Sequence, residues 1–235
     1  FLTHSRKITN QNWKSSIDPY EYKNLKESFA VNMEFFLMDP KFQCHSYAMN
    51  EFLRGHFSFR PFSEATCEFE YQSKKGVKFT LNPERVYQVH YLQVEAGENA
   101  ESRWGHSMFR IILCNPKRKK VDHRCLRDVE HHVTVSFLAD IRDTRNKHYN
   151  GLTGKYPSLL FVQPFKKTII EYGWVENRRL TSLPLKFSDL QKRKFIMQTL
   201  SRLDSYVGKY YFLSNNCMTE SLNLLKEIIQ LPRFQ

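Results

Sequence analysis

Tyr210-Tyr211-Phe212-Leu213-Ser214-Asn215-Asn216-Cys217-Met218-Thr219-Glu220-Ser221-Leu222-Asn223-Leu224-Leu225 runs from an aromatic stretch through two asparagines into apolar residues at helical spacing. Asparagine caps helix N-termini well, so a helix is expected to start at Cys217, with Leu222, Leu225, Ile228 and Ile229 marking its buried face. A cysteine in a first helical turn meets unpaired backbone N–H groups and the positive end of the helix dipole, and both favour the thiolate. Taken alone, such a cysteine is an ordinary small core residue. It acquires a chemical reading only when a base stands beside it.

The base is expected in Ser102-Arg103-Trp104-Gly105-His106-Ser107-Met108-Phe109-Arg110-Ile111-Ile112-Leu113, where His106 opens a strand-like apolar run. By itself His106 reads equally as a strand-end histidine bonded to backbone. Paired with Cys217 it describes a Cys/His hydrolase or acyltransferase. A third group commonly orients the imidazole, and His131, His132, Ser136 and Asp140 are the candidates, on or beside a strand expected over residues 131–138. Asn216 either caps the helix or assists an oxyanion. Trp104, Ser107, Tyr172 and Trp174 are candidates for lining a substrate pocket, although aromatics beside turns are commonly packing residues. Neighbouring strand residues point to opposite faces, so His131 and His132 do not make a metal pair, and no Cys-x-x-Cys spacing offers a zinc site. No metal and no cofactor are expected.

The chain has 235 residues and a formal charge of +12, which favours acidic partners: an anionic membrane surface, an anionic envelope polymer or nucleic acid. No zinc-finger, helix-turn-helix or aromatic RNA-binding pattern supports nucleic acid, so none is expected as a partner. The densest basic run, Lys117-Arg118-Lys119-Lys120 after Asn115-Pro116, reads as a solvated hairpin tip. No run of about 18 apolar residues could span a bilayer, so the chain reads as soluble. It opens on Phe1, which leaves room for a leader or anchor that has been removed. Five cysteines are an odd number. If Cys217 is the free thiol, Cys44/Cys67 and Cys114/Cys125 are the natural pairs of an oxidising compartment, and buried reduced thiols are the alternative.

Around these motifs the fold class is α+β. Residues 1–62 read as a helical lead-in, with an apolar face over 28–37, a break at Asp39-Pro40 and helical spacing again over 42–53. Residues 63–235 read as the main domain. Strands are expected at 67–71, 86–94, 108–113, 131–138, 159–165 and 168–172, the last two broken at Gln163-Pro164. A polar loop is expected over residues 142–157. A helix capped by Ser188 comes later, with Leu190, Phe195, Ile196, Leu200 and Leu203 as its buried stripe, before the Cys217 helix.

The Asn32-Met33-Glu34-Phe35-Phe36-Leu37 stretch with Asp39-Pro40, the Trp104-Gly105-His106-Ser107-Met108-Phe109-Arg110 stretch and Ser214-Asn215-Asn216-Cys217 together resemble the bacterial envelope family that contains lipoprotein N-acylation transacylase B. More widely, the order of a Gly-His strand before an Asn-Cys helix resembles the circularly permuted papain-like superfamily of NlpC-type peptidases and lecithin:retinol acyltransferase-like enzymes. The resemblance implies a central antiparallel sheet packed against a C-terminal helix bearing the nucleophile Cys217, with His106 as its base and the Cys217 N–H in the oxyanion site. It implies a periplasmic or cell-envelope enzyme forming an acyl-cysteine from a lipid or lipoprotein acyl donor. The alternatives are a cell-wall peptidase or amidase using the same dyad on a cell-wall peptide, and a non-catalytic envelope-binding module. The oligomeric state is left open.

Overall fold

The Asn24 side chain accepts from the Lys26 and Glu27 amides and so starts α1 (Leu25–Met38), which ends where Pro40 forbids a further turn. The computed structural model describes residues 18–63, 65, 67–72, 78–98, 102–141, 147–206 and 208–229; the first 17 residues of the expected lead-in and residues 142–146 of the expected polar loop lie outside them. After α1 come α2 (Phe42–His45) and α3 (Tyr47–Phe57). Phe36, Phe42 and Leu53 close a small core among the three helices, with the Phe36 and Phe42 rings edge-on. A disulfide joins Cys44 in α2 to Cys67, at the entry to β1 (Phe69–Gln72), which pairs antiparallel with β2 (Lys78–Leu81).

The remaining strands are β3 (Val86–Val94), β4 (His106–Leu113), β5 (Val133–Ala139), β6 (Tyr156–Pro164), β7 (Leu180–Pro184) and β8 (Gly208–Tyr210). They form one six-stranded sheet in the order β7-β3-β4-β5-β6-β8, with every neighbouring pair antiparallel. Among them are set α4 (Lys147–Leu152), α5 (Phe165–Thr168), a π-helical turn at Ile169–Val175, α6 (Asp189–Ser205) and α7 (Cys217–Ile229). The protein is thus α+β.

Strand alternation sends two sets of side chains to opposite faces. Val89, Phe109, Ile111, Val135, Phe137, Leu160 and Val162 meet Phe195 and Ile196 of α6 and Leu224 and Ile228 of α7. Phe195 lies edge-on to Phe109 at 5.0 Å, and burial of each such ring contributes about 1.5–3 kcal/mol. Leu92, Val94 and Met108 face the other way, onto Phe165 and Tyr172. Because both faces are covered, β5 is buried along most of its length, and its polar Thr134 is satisfied by the Thr168 hydroxyl at 2.6 Å.

Several expectations are corrected. The segment 168–172 is helical, not a strand. Its β-branched residues read as extended, but they lie where the chain folds back over the second face of the sheet, and the Phe165 amide donates to the His132 carbonyl at 2.8 Å. His131 and His132 precede β5, at a short 3-10 turn, and are not part of the strand. The basic run is no simple hairpin tip. It sits in a long connection closed by the Cys114–Cys125 disulfide, with Arg118 paired to Asp128 at 2.5 Å and Cys125 inside a 3-10 helix. In α6 the Ser188 cap stands, as a reciprocal pair with Gln191, but Leu190 is exposed. In α7 the buried side chains are Cys217, Ser221, Leu224 and Ile228, while Leu222 and Ile229 face outward. The helix is therefore rotated from the expected face, and the rotation carries Cys217 onto the sheet.

Candidate active site

Gly105 has φ +72°, and a Cβ there would lie 2.8 Å from the Val94 carbonyl oxygen. A side chain is excluded on both counts. This tight turn delivers His106 as the first residue of β4, followed by the buried Ser107. On the facing element, the Asn216 side-chain oxygen accepts from the amides of Met218 (3.0 Å) and Thr219 (3.3 Å). Asn216 thus caps α7, and its own amide group donates to the Phe212 carbonyl at 3.1 Å. Asn215 donates to the Lys209 carbonyl (2.8 Å) and to Glu220 (2.7 Å) in the first turn of α7. The loop before Cys217 is held from a second side. The Phe212 amide donates to the Gly151 carbonyl at 3.0 Å, and a Cβ at Gly151 would run into the Phe212 ring, as one at Gly154 would into Tyr211.

These constraints bring Cys217, His106 and Ser107 together. Cys217 is the free cysteine and is 8% exposed. Burial pushes its thiol up; hydrogen bonding to His106 and the His106 charge, with the backbone and hydroxyl of Ser107, outweigh that and bring it down to about 6. The His106 Nε2 is buried with hydrogen-bonding capacity that the resting protein leaves unused.

Tyr210, at the end of β8, completes the other side. Its hydroxyl accepts from the Cys217 amide at 3.3 Å and also bonds the Cys217 side chain. Burial and the neighbouring sulfur charge hold its phenol above the ordinary tyrosine range, so it remains a neutral donor. Nothing in the sequence reading singles out Tyr210. Its position seven residues before Cys217, across a short turn, is the available signal. Tyr172, expected only as a pocket aromatic, is buried, with its ring 5.8 Å from the His106 ring at an interplanar angle of 18°.

The other expected residues take different places. His132 does not orient His106: its Nδ1 meets Arg110 at 2.8 Å and its Nε2 the Cys125 carbonyl at 2.9 Å, and burial lowers it to about 4. His131 lies in the 3-10 turn beside Asp128. Ser136 pairs with Met108, two residues along β4 from His106. Trp104 and Trp174 are 71% and 82% exposed, so neither lines an enclosed pocket. Clefts lined by Phe36, Asp39, Arg54 and Arg60 belong to the N-terminal segment and include neither Cys217 nor His106.

Residues 3–66 match a family described as a domain of unknown function, DUF7844, and residues 73–234 match the family described as the Lnb N-terminal periplasmic domain. No curated protein and no solved structure matches the chain. No helix among the described residues is long and apolar enough to cross a membrane. The second match spans more than half of the 235 residues and includes His106, Tyr172, Tyr210 and Cys217, and on that ground the chain belongs to the Lnb N-terminal periplasmic domain family.

Proposed function

We propose that this chain is a cell-envelope thiol enzyme that carries an acyl group on Cys217 and passes it from a lipid or lipoprotein ester to an amine or to water. The observation that carries the reading is a free, buried cysteine set by the Asn216 cap in the first turn of α7, against the histidine and serine that open β4, which together lower its thiol in spite of its burial. Perturbation of that kind serves chemistry more readily than packing. The order of histidine strand before cysteine helix supports a permuted papain-like arrangement. The family description supports a periplasmic setting, and the resemblance to the lipoprotein N-acylation family favours a lipid or lipoprotein donor.

In the proposed sequence, the Cys217 thiolate attacks the ester carbonyl carbon. A C–S bond forms and the carbonyl π electrons move to oxygen. The developing oxyanion takes hydrogen bonds from the Cys217 amide and the Tyr210 hydroxyl, which bond one another in the resting protein. As the tetrahedral intermediate collapses, the C–O bond breaks and imidazolium His106 gives its proton to the leaving alkoxide. The acceptor amine or water then attacks the thioester, His106 takes its proton, and the C–S bond breaks to return the thiolate. The exposed side chains beside the dyad, Trp104, Trp174, Leu213 and Met218, together with the +12 charge, favour a donor held at an anionic lipid surface.

The test is intact-mass detection of an acyl adduct after incubation with phospholipid and with diacylglyceryl-peptide donors. An adduct on Cys217, lost in Cys217→Ala and followed by acyl-amine product, supports transfer. Free acid alone as product indicates a hydrolase. A folded protein that forms no adduct and turns over neither lipid nor peptide esters rules the enzyme reading out.

A further inference from the structure

His106 presents an incomplete triad. Among the described residues no carboxylate, side-chain amide or second histidine hydrogen-bonds its ring, and Nε2 is buried without a partner. An imidazole that must take and return a proton along one direction still has to be held. The group against it is an aromatic ring.

We infer that Tyr172, gripped by Arg178, is the positioning residue for His106: a stacked phenol ring does by its face what a hydrogen-bonding third residue does by an acceptor atom. The two rings are nearly parallel, at 18° and 5.8 Å, in the offset range that aromatic pairs favour. Tyr172 cannot easily drift. It lies in a π-helical turn, a rare conformation that recurs at functional sites, and packs on Leu92, Val94 and Met108. Arg178 closes around it: the Arg178 amide donates to the Tyr172 carbonyl at 2.8 Å, and its guanidinium sits over the Tyr172 ring at 5.5 Å. The guanidinium is anchored in turn, by Nε to the Glu95 carbonyl at 2.6 Å and by Nη1 to Glu176 at 2.7 Å. Glu95 directly follows β3, whose last carbonyl closes on Gly105. One clamp therefore fixes both the ring against His106 and the turn that delivers His106.

The face of the Tyr172 ring holds the imidazole in one orientation for the exchange of a proton with Cys217. The titratable and charged groups about this ring pair are Cys217 from α7, Tyr210 from β8, Glu171 and Glu176 from the π-helical turn and its end, and Arg178. Arg178 has the same sign as imidazolium, so its part is to hold the Tyr172 ring.

The inference rests on the Cys217/His106 reading proposed above, and one measurement separates the two. The rate of Cys217 alkylation by iodoacetamide is followed against pH in wild type, Tyr172→Phe, Tyr172→Leu and Arg178→Gln, each with its thermal midpoint. Wild type and Tyr172→Phe, which keeps the ring, are expected to inflect near pH 6. Tyr172→Leu keeps an apolar side chain but loses the stack, and is expected to inflect about one unit higher, with a roughly fivefold slower reaction at pH 6. Arg178→Gln should move the same way by less, and it serves in place of Tyr172→Leu if that variant does not fold. A lowered thermal midpoint with the inflection still near 6 in the folded variants makes Tyr172 a packing residue and overturns the inference alone. A wild-type inflection at the ordinary thiol value of about 8.5 overturns the thiolate reading itself.

Discussion

The Tyr210 hydroxyl lies 3.3 Å from the Cys217 amide nitrogen and accepts its hydrogen. The N–H that an oxyanion would use is therefore already engaged in the resting protein, and by a group that can become a second donor. Tyr210→Phe is expected to lower the rate of acyl transfer about 10- to 100-fold, somewhat less than the loss of a dedicated oxyanion donor, because the amide remains. The alkylation inflection of Cys217 should rise, because the hydroxyl that bonds its side chain is lost, but stay below the ordinary thiol value of about 8.5, because His106 and Ser107 are untouched. Steady-state kinetics with an ester substrate beside an alkylation profile checks both.

Removing His106 should reverse the thiol's character. Burial is the largest influence on Cys217 and acts upward; His106 leads the groups that oppose it. In His106→Ala the inflection should therefore rise past the ordinary thiol value of about 8.5, and alkylation at pH 7 should fall by an order of magnitude or more. A His106→Ala protein that still inflects near 6 would assign the effect to the helix dipole and Ser107.

Two further histidines predict an acid-labile core. His90 and His132 are buried, and both are lowered to about 4, by burial first and then with Arg110 contributing. Their folded pKa values lie below the unfolded one of about 6.5, so the unfolded chain binds more protons between these values. Stability is full above about pH 6.5 and falls as pH drops toward 4, by roughly 3 kcal/mol for the pair after allowance for partial solvent access. Urea unfolding at about pH 7, 5.5 and 4 measures the slope, and His132→Gln should flatten it.

The Cys44–Cys67 bridge closes 23 residues of chain, for which loop entropy indicates about 3 kcal/mol. The paired Cys44→Ala/Cys67→Ala variant should lose about that much by denaturant unfolding. Its Cys217 alkylation profile should be unchanged, because the bridge lies among the N-terminal helices and β1.

The two ends of the site are readable from sequence for a local reason. A capping asparagine before a cysteine, and a Gly-His before an apolar strand, are short-range signals that tertiary packing does not overrule. What fails is decided by packing. The spacing of Leu222, Leu225 and Ile229 fits a helix but not its rotation, and the buried row Cys217, Ser221, Leu224, Ile228 includes a serine that no hydrophobic count would select. Thr168-Ile169-Ile170 carries β-branched residues into a helical turn because the second face of the sheet needs a cover there. β7 and β8, of five and three residues, are edge strands too short to show a period. A search for the partner of His106 among acceptor side chains misses Tyr172, since sequence motifs record hydrogen-bonding residues, whereas a stacked ring depends on where two distant segments meet.

Gly151 has no group in the site, yet its missing side chain is the seat of Phe212, five residues before the nucleophile. Even one methyl group there would have to push the ring, and with it the turn that sets Cys217 against His106. The map of mutational sensitivity should accordingly show an island at residues 151–154, remote in sequence from both His106 and Cys217, where enlarging a residue lowers the reactivity of Cys217 without unfolding the protein. Exposed Trp174, only two residues from Tyr172, should tolerate most replacements without loss of the fold.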